Sequence, residues 1–219
     1  MVSQSSRYLR HRAALERLHE LGCIFPCTRS RRDVQDAAGA PHEGAPNDEP
    51  VYPKEFRPPA GIAPPPLGET ISVNWRFRVP DDHVLEFDDE RLGRQTSISG
   101  RTFGDFVVWR KDDTPSYQLA TVVDDAELQI TEVVRGEDLV RSTFRQLLIF
   151  RALGYPEPKF YHAELLCDDQ GRRLAKPHDA LSIRELRMKG VRSDEILERM
   201  TVEMKSLGNS TGANPQDSR

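Results

Sequence analysis

Two stretches of this sequence gather side chains able to do chemistry. In Pro115-Ser116-Tyr117-Gln118-Leu119-Ala120 a tyrosine opens an apolar run, and in Val134-Arg135-Gly136-Glu137-Asp138 an arginine closes another. A strand-end arginine beside a phenol is a trap for a small carboxylate, because the guanidinium forks onto two oxygens and the phenol adds a directed hydrogen bond. From spacing alone a second reading stands beside it, in which Arg135 simply pairs with Glu137 or Asp138. The other stretch, Gly171-Arg172-Arg173-Leu174-Ala175-Lys176-Pro177-His178-Asp179, sets a cationic run in a Gly- and Pro-bounded loop. Such a loop can hold a polyphosphate, with Lys176 as a point charge on the negative charge that develops in phosphoryl or nucleotidyl transfer. The alternative is an ordinary solvated loop. The sequence contains neither GxxxxGK nor GxGxxG, so the familiar phosphate cradles are absent.

The remaining reactive side chains are fewer. His162 follows Phe160-Tyr161 ahead of an apolar run and reads by itself as a satisfied structural histidine, while His178 is placed to assist the cationic loop. Cys23, Cys27 and Cys167 are odd in number and are not spread as a disulfide framework, which suits a reducing compartment. Cys167 lies in an apolar run and reads as core.

These residues need elements to hold them. Ala14, Leu15, Leu18 and Leu21 recur at helical spacing, so residues 6–21 are expected to form a helix capped by Ser5 or Ser6 and ended by Gly22, with nothing before it to bury its apolar face. Nine prolines make residues 36–69 a loop-rich insert. Ile71, Val73, Trp75, Phe77 and Val79 alternate as one face of a strand, and Val84 to Phe87 is its expected hairpin partner, giving a small β module over residues 70–100. Short apolar runs predict buried strands at Phe106 to Trp109, Tyr117 to Val123 and Ile130 to Val134. A helix is expected from Thr143, with Gln146 completing its capping box, to Gly154. Further helices are expected to open at Ser182, with Glu185, and at Ser193. The polar residues 206–219 read as a disordered tail.

Composition excludes several classes. The chain has 219 residues, of which 37% are hydrophobic, enough for one domain or one and a half. Its net charge of −4 makes it no bulk polycation, so nucleic-acid binding would rest on local patches. The N-terminus lacks an apolar signal region and no stretch approaches the length of a membrane span, so a cytoplasmic protein without membrane insertion is expected.

Gly104 to Arg110, Pro115 to Ala120, Val122 to Asp125, Val133 to Asp138, Ser142-Thr143 with Gln146, and Arg173 to Lys176 fall in an order and spacing that resemble class I aminoacyl-tRNA synthetases of the glutamyl type. Arg173 to Pro177 is similar to their Lys-Met-Ser-Lys-Ser loop. His178-Asp179-Ala180-Leu181-Ser182 is similar to the short members that glutamylate the queuosine base of tRNA(Asp). The likeness covers residues 4–205. It implies an α/β fold: a partial Rossmann-like catalytic domain over 1–205, with its second half and phosphate-binding loop at 104–180, a mixed α/β insert and a short helical C-terminus. It also implies ATP-dependent activation of glutamate, with magnesium, and transfer to tRNA. By the same likeness Tyr117 and Arg135 hold glutamate, Arg173 and Lys176 bind ATP, Lys176 stabilises the leaving pyrophosphate, and His162 lies near the active site. The short stretch after Lys176 favours the queuosine-type members, which lack an anticodon-binding domain.

The pattern also breaks. The family's His-Ile-Gly-His motif has no counterpart in this sequence. The chain alone is therefore expected to be impaired, with an unpaired sheet edge, and to act as a monomer or to be complemented by a separate N-terminal half. The family's zinc pattern, Cys-x-Cys then Tyr-x3-Cys, is met by Cys27 and Tyr52, but Arg29 and Phe56 stand at the other two positions, and zinc is not expected. Two other readings compete with a ligase: a non-catalytic remnant that binds tRNA or a partner, and a different nucleotidyl transfer on the same fold.

Overall fold

The computed structural model describes residues 3–37, 50–165 and 183–198. Cys167, Arg173, Lys176, His178 and Ser182 lie outside the described residues, as does the expected tail. The chain divides into two compact units, Met1–Glu164 and Leu165–Arg219. In the second unit the described residues form helix α5, given below, then a turn at Gly190 and a helical stretch over 193–198.

In chain order the elements are α1 (Tyr8–Glu20), β1 (Ile24–Cys27), α2 (Arg31–Ala37), β2 (Asn74–Phe77), β3 (Val84–Asp89), β4 (Gly93–Ile98), β5 (Phe106–Trp109), α3 (Tyr117–Glu127), β6 (Glu132–Gly136), α4 (Val140–Leu153), β7 (Lys159–Ala163) and α5 (Ile183–Met188). β1, β2 and β5 form an antiparallel sheet in that order. The second sheet, ordered β4-β3-β7-β6, is mixed: β3 and β4 run antiparallel, whereas β7 runs parallel to both β3 and β6. The α/β class is therefore as read from the sequence.

α1 ends as its sequence predicts, with Gly22 left-handed at φ 68° and the Cys23 amide donating to the Leu18 carbonyl. Its apolar face does have cover. Ala14, Leu15 and Leu18 are buried, and the helix packs on α3 and α4. Asp124 of α3 fixes that contact, accepting from Gln4 Nε2 at 2.9 Å and Arg7 Nε at 2.5 Å and lying 3.0 Å from the buried His11 Nε2.

Three local expectations need correction. Tyr117 to Val123 is helix, not strand: Ser116 Oγ accepts from the Leu119 amide at 3.4 Å and caps α3, and the apolar run forms a broad helical face. The helix ends with Gln129 left-handed at φ 55° and the Ile130 amide bonded to the Asp125 carbonyl. Ile130 therefore belongs to the cap, and the strand begins at Glu132. Thr143 does not open its helix, which starts at Val140; its hydroxyl lies inside α4, 3.3 Å from the Leu139 carbonyl.

The hairpin expectation fails for a non-local reason. β2 pairs with β1 and β5, and β3 pairs with β4, so the chain changes sheets at Val79 to His83. There the Asp105 carboxylate accepts from the Val79 amide at 2.8 Å, and Arg57 donates to the Val79 carbonyl at 3.2 Å. Side chains from distant segments thus satisfy backbone groups that a hairpin would have paired.

One core joins both sheets with α1, α3 and α4, built on Leu18, Trp75, Phe77, Trp109, Leu119, Phe144, Leu147, Phe150 and Phe160. A smaller cluster holds Phe25, Cys27, Val34 and Tyr52. Among the described residues β6 has an open outer edge. Val134 and Tyr161, partners in the β6 to β7 register, are 71% and 40% exposed on one face of these parallel strands. No helix among the described residues is long and apolar enough to cross a membrane.

Candidate functional site

Arg135 and His162 face each other in the register of the parallel strands β6 and β7, one residue before the C-terminal end of each. Carboxyl ends of parallel strands are where open α/β sheets gather ligands. The Arg135 guanidinium is half-buried, donates from Nη2 to Thr143 Oγ1 at 2.7 Å, and lies 5.5 Å from the centre of the Phe160 ring. Burial draws its pKa below the ordinary value, against opposing charge and hydrogen bonding from Tyr117 and the charges of Asp125 and Asp138. It remains a cation at neutral pH. Tyr117, the first residue of α3, is 54% exposed and sits against this cation. The structure thus brings Tyr117 and Arg135 together beside the N-terminus of α3, whose dipole also favours an anion. Of the two alternative partners for Arg135, Glu137 is bonded to Arg91, while the charge of Asp138 does act on Arg135.

Behind Arg135 lies a buried polar chain that sequence reasoning missed except for one member. His162 and Thr143 are fully buried and Asp89 nearly so. His162 Nδ1 is 2.6 Å from Asp89 Oδ2, His162 Nε2 is 3.0 Å from Thr143 Oγ1, and Arg135 Nε approaches the same Nε2 at 3.3 Å. Burial pushes the Asp89 carboxyl upward. Hydrogen bonds from the Leu92 amide, the His162 ring, the Arg91 amide and the His162 amide outweigh this and hold it below the usual range. A signal for Asp89 did exist. β3 alternates exposed and buried, which puts Asp89 on the inward face with Leu85 and Phe87, and a carboxylate at an inward position requires partners.

The four positions of the zinc pattern also converge, though not on a ligand set. Cys27 Sγ is 3.2 Å from Tyr52 Oη, both buried, and the Arg29 guanidinium lies 4.6 Å over the Phe56 ring. The Tyr52 and Phe56 rings meet edge to face at 6.0 Å, and Arg76 stacks 4.4 Å above Tyr52. Burial, then the Cys27 hydrogen bond, pushes the Tyr52 phenol far above its ordinary value, which disfavours the phenolate a metal would want. A cation seated on an aromatic ring occupies the place of two thiolates, so these residues do not fit zinc. Cys23 is not a substitute, for it packs on the main core and Cys27 on the smaller cluster. Gly104 holds this lobe close: a Cβ there would fall 2.5 Å from the Tyr52 amide nitrogen.

Comparison with known proteins gives one answer. The pattern described as tRNA synthetases class I (E and Q), catalytic domain, matches residues 67–210. The glutamyl-Q tRNA(Asp) synthetase of Symbiobacterium thermophilum is 41% identical over 197 residues, covering 89% of this chain and 59% of that protein. The enzyme of the same name from Janthinobacterium sp. (strain Marseille) is 39% identical over 188 residues, 84% of this chain and 60% of its own length. The chain thus spans about three fifths of these curated relatives. Among solved structures, a glutamate tRNA ligase of Elizabethkingia meningosepticum in complex with its amino acid superimposes with a TM-score of 0.59 at 20% identity, over 84% of this chain and 37% of that one. The glutamate-tRNA synthetase of Elizabethkingia anophelis gives 0.60 at 21%, with the same coverage. At such identities these two speak for the fold, a Rossmann-like class I catalytic domain with mixed sheets. The pattern match over most of the chain makes the family plain: this chain belongs to the class I (E and Q) tRNA synthetases.

Proposed function

We propose that this chain carries the amino-acid-binding part of an ATP-dependent ligase of the glutamyl-queuosine tRNA(Asp) type. In this reading glutamate is activated by ATP to glutamyl-adenylate and the glutamyl group is passed to tRNA(Asp) in the cytoplasm. The observation that carries it is the meeting of Arg135 with Tyr117 at the C-terminal end of β6. The guanidinium takes a glutamate carboxylate and the phenol directs a hydrogen bond to it. Arg173 and Lys176 act on the triphosphate by family likeness, Lys176 offsetting charge on the departing pyrophosphate. Magnesium arrives with ATP as part of the substrate.

Glutamate-dependent exchange of pyrophosphate into ATP tests this. In this chain alone it is expected to be impaired but measurable, and Arg135→Gln is expected to lower it further by at least about tenfold, the loss of a charge-assisted hydrogen bond. Exchange that is indifferent to glutamate and to Arg135 would overturn the assignment.

A second reading is favoured by the outer edge of β6, unpaired among the described residues, and the exposed Val134 and Tyr161. Parallel strands are ordinarily covered on both faces. A separate polypeptide supplying the nucleotide-binding half would pair with that edge. Exchange activity that appears only on mixing the two polypeptides would favour complementation over a self-sufficient monomer.

A further inference from the structure

The chain of side chains behind Arg135 admits only one consistent direction of hydrogen bonding. The Asp89 carboxylate can only accept. It takes the Leu92 amide at 2.9 Å, the Arg91 amide and the His162 amide at 3.1 Å each, and the His162 ring at 2.6 Å. The ring proton of His162 therefore sits on Nδ1, and Nε2 presents a lone pair. Thr143 Oγ1 has one proton to give. Nε2, at 3.0 Å, is nearer than the Leu139 carbonyl at 3.3 Å. That donation leaves the hydroxyl oxygen to accept Arg135 Nη2 at 2.7 Å, and Arg135 Nε also points at Nε2. The result is a buried run from anion to cation in which every donor meets an acceptor. Moving the histidine proton to Nε2 would set N–H against N–H at Arg135 and break the run at its middle.

We propose that Asp89, His162 and Thr143 form a positioning relay, in which Asp89 fixes the tautomer of His162 and His162 with Thr143 fixes the plane of the Arg135 guanidinium. None of the three touches the substrate in this scheme. They commit the Nε edge of Arg135 to the protein and leave the Nη1/Nη2 edge to a carboxylate, so the ligand is taken end-on. The role in substrate binding rests on the reading of Arg135 as the glutamate anchor; the relay itself does not.

The test uses the full chain labelled with ¹⁵N, with the histidine ring nitrogens and the Arg135 Nε–H followed by NMR and L-glutamate added as probe. One protonated and one unprotonated ring nitrogen are expected, with Nδ1 carrying the proton, and Asp89→Asn is expected to perturb that state and the Arg135 signal together. A wild-type His162 protonated on Nε2 overturns the relay without recourse to any variant. For glutamate affinity the pairs of variants decide. Thr143→Val and His162→Asn are expected to weaken binding about ten- to a hundredfold, the range for losing hydrogen bonds to a charged group. Thr143→Ser, which keeps the hydroxyl, and His162→Gln, whose amide reaches the Nε2 position, are expected to stay within about threefold by the same reasoning. Equal losses within each pair would mean a merely structural cluster and sink the proposal. If wild type binds no glutamate while the ring tautomer and its coupling to Arg135 are as expected, the substrate reading falls and the relay stands.

Discussion

The Arg135 site and the Cys27 lobe each bring four side chains together from distant segments, and they have met opposite fates. Around Arg135 the polar groups are buried in series, each one the acceptor or donor its neighbour needs. Around Cys27 the same number of positions holds one thiol–phenol contact and one cation resting on a ring. Packing against an aromatic face has little directionality, so such a lobe can absorb substitutions one at a time. A buried polar series cannot, because removing one member strands the next in a medium that charges the full desolvation penalty. A series of that kind persists where a side chain must be aimed; a structural lobe only has to be filled.

Breaking the polar series should have the largest effect. Asp89→Ala leaves three backbone amides and a ring N–H without their acceptor, and is expected to cost about 3–5 kcal/mol in urea unfolding. Its pH signature follows from the sign of the shift. The carboxyl is held below its ordinary value when folded, so the stability it contributes is complete above the unfolded value of about 3.9 and is lost as pH falls through the lower folded value. Asp89→Asn should lack that part of the acid transition, and an unchanged acid limb would contradict the burial logic.

The lobe can be pushed the other way. Arg29→Cys with Phe56→Cys supplies the two thiols that Cys27 and Tyr52 lack as partners. The double variant is expected to take up one zinc and to gain about 2–4 kcal/mol of chelator-sensitive stability at zinc concentrations well above its Kd. Wild type should melt at one temperature with and without chelator; a chelator-sensitive wild-type melt would mean that the aromatic packing is not what holds the lobe. The smallest effect is expected from Tyr52→Phe, which removes one hydrogen bond to a weak thiol partner and keeps the ring contacts, for about 1 kcal/mol or less by thermal melt.

How far this was legible in the sequence depended on how local each cause is. The end of α1 at Gly22 and that of α4 at Gly154, left-handed at φ 70°, follow from glycine and the residues just before it. The strand Phe106–Trp109 follows from an apolar run bounded by turn residues. Tyr117 to Val123 was misread because a short buried run looks alike as helix or strand, and the deciding residue, Ser116, lies outside the run. The separation of β2 from β3 was hidden because it depends on Arg57 and Asp105, 48 residues apart in the chain. At the site the meeting of Tyr117 with Arg135 could be anticipated from family likeness. Asp89 left a trace in the alternation of β3, but its partners and those of Thr143 could not be read, since they meet only when β3, β7 and α4 pack.

The open edge of β6 has a bearing on handling as well as on partners. Among the described residues its outer amides and carbonyls meet no strand, and a neighbouring molecule's extended segment would satisfy them. With Val134 and Tyr161 exposed on the adjoining face, crowding favours contacts between copies of this chain along that edge. Self-association should therefore rise with concentration, and Val134→Lys, which puts a charge on that face, should reduce it.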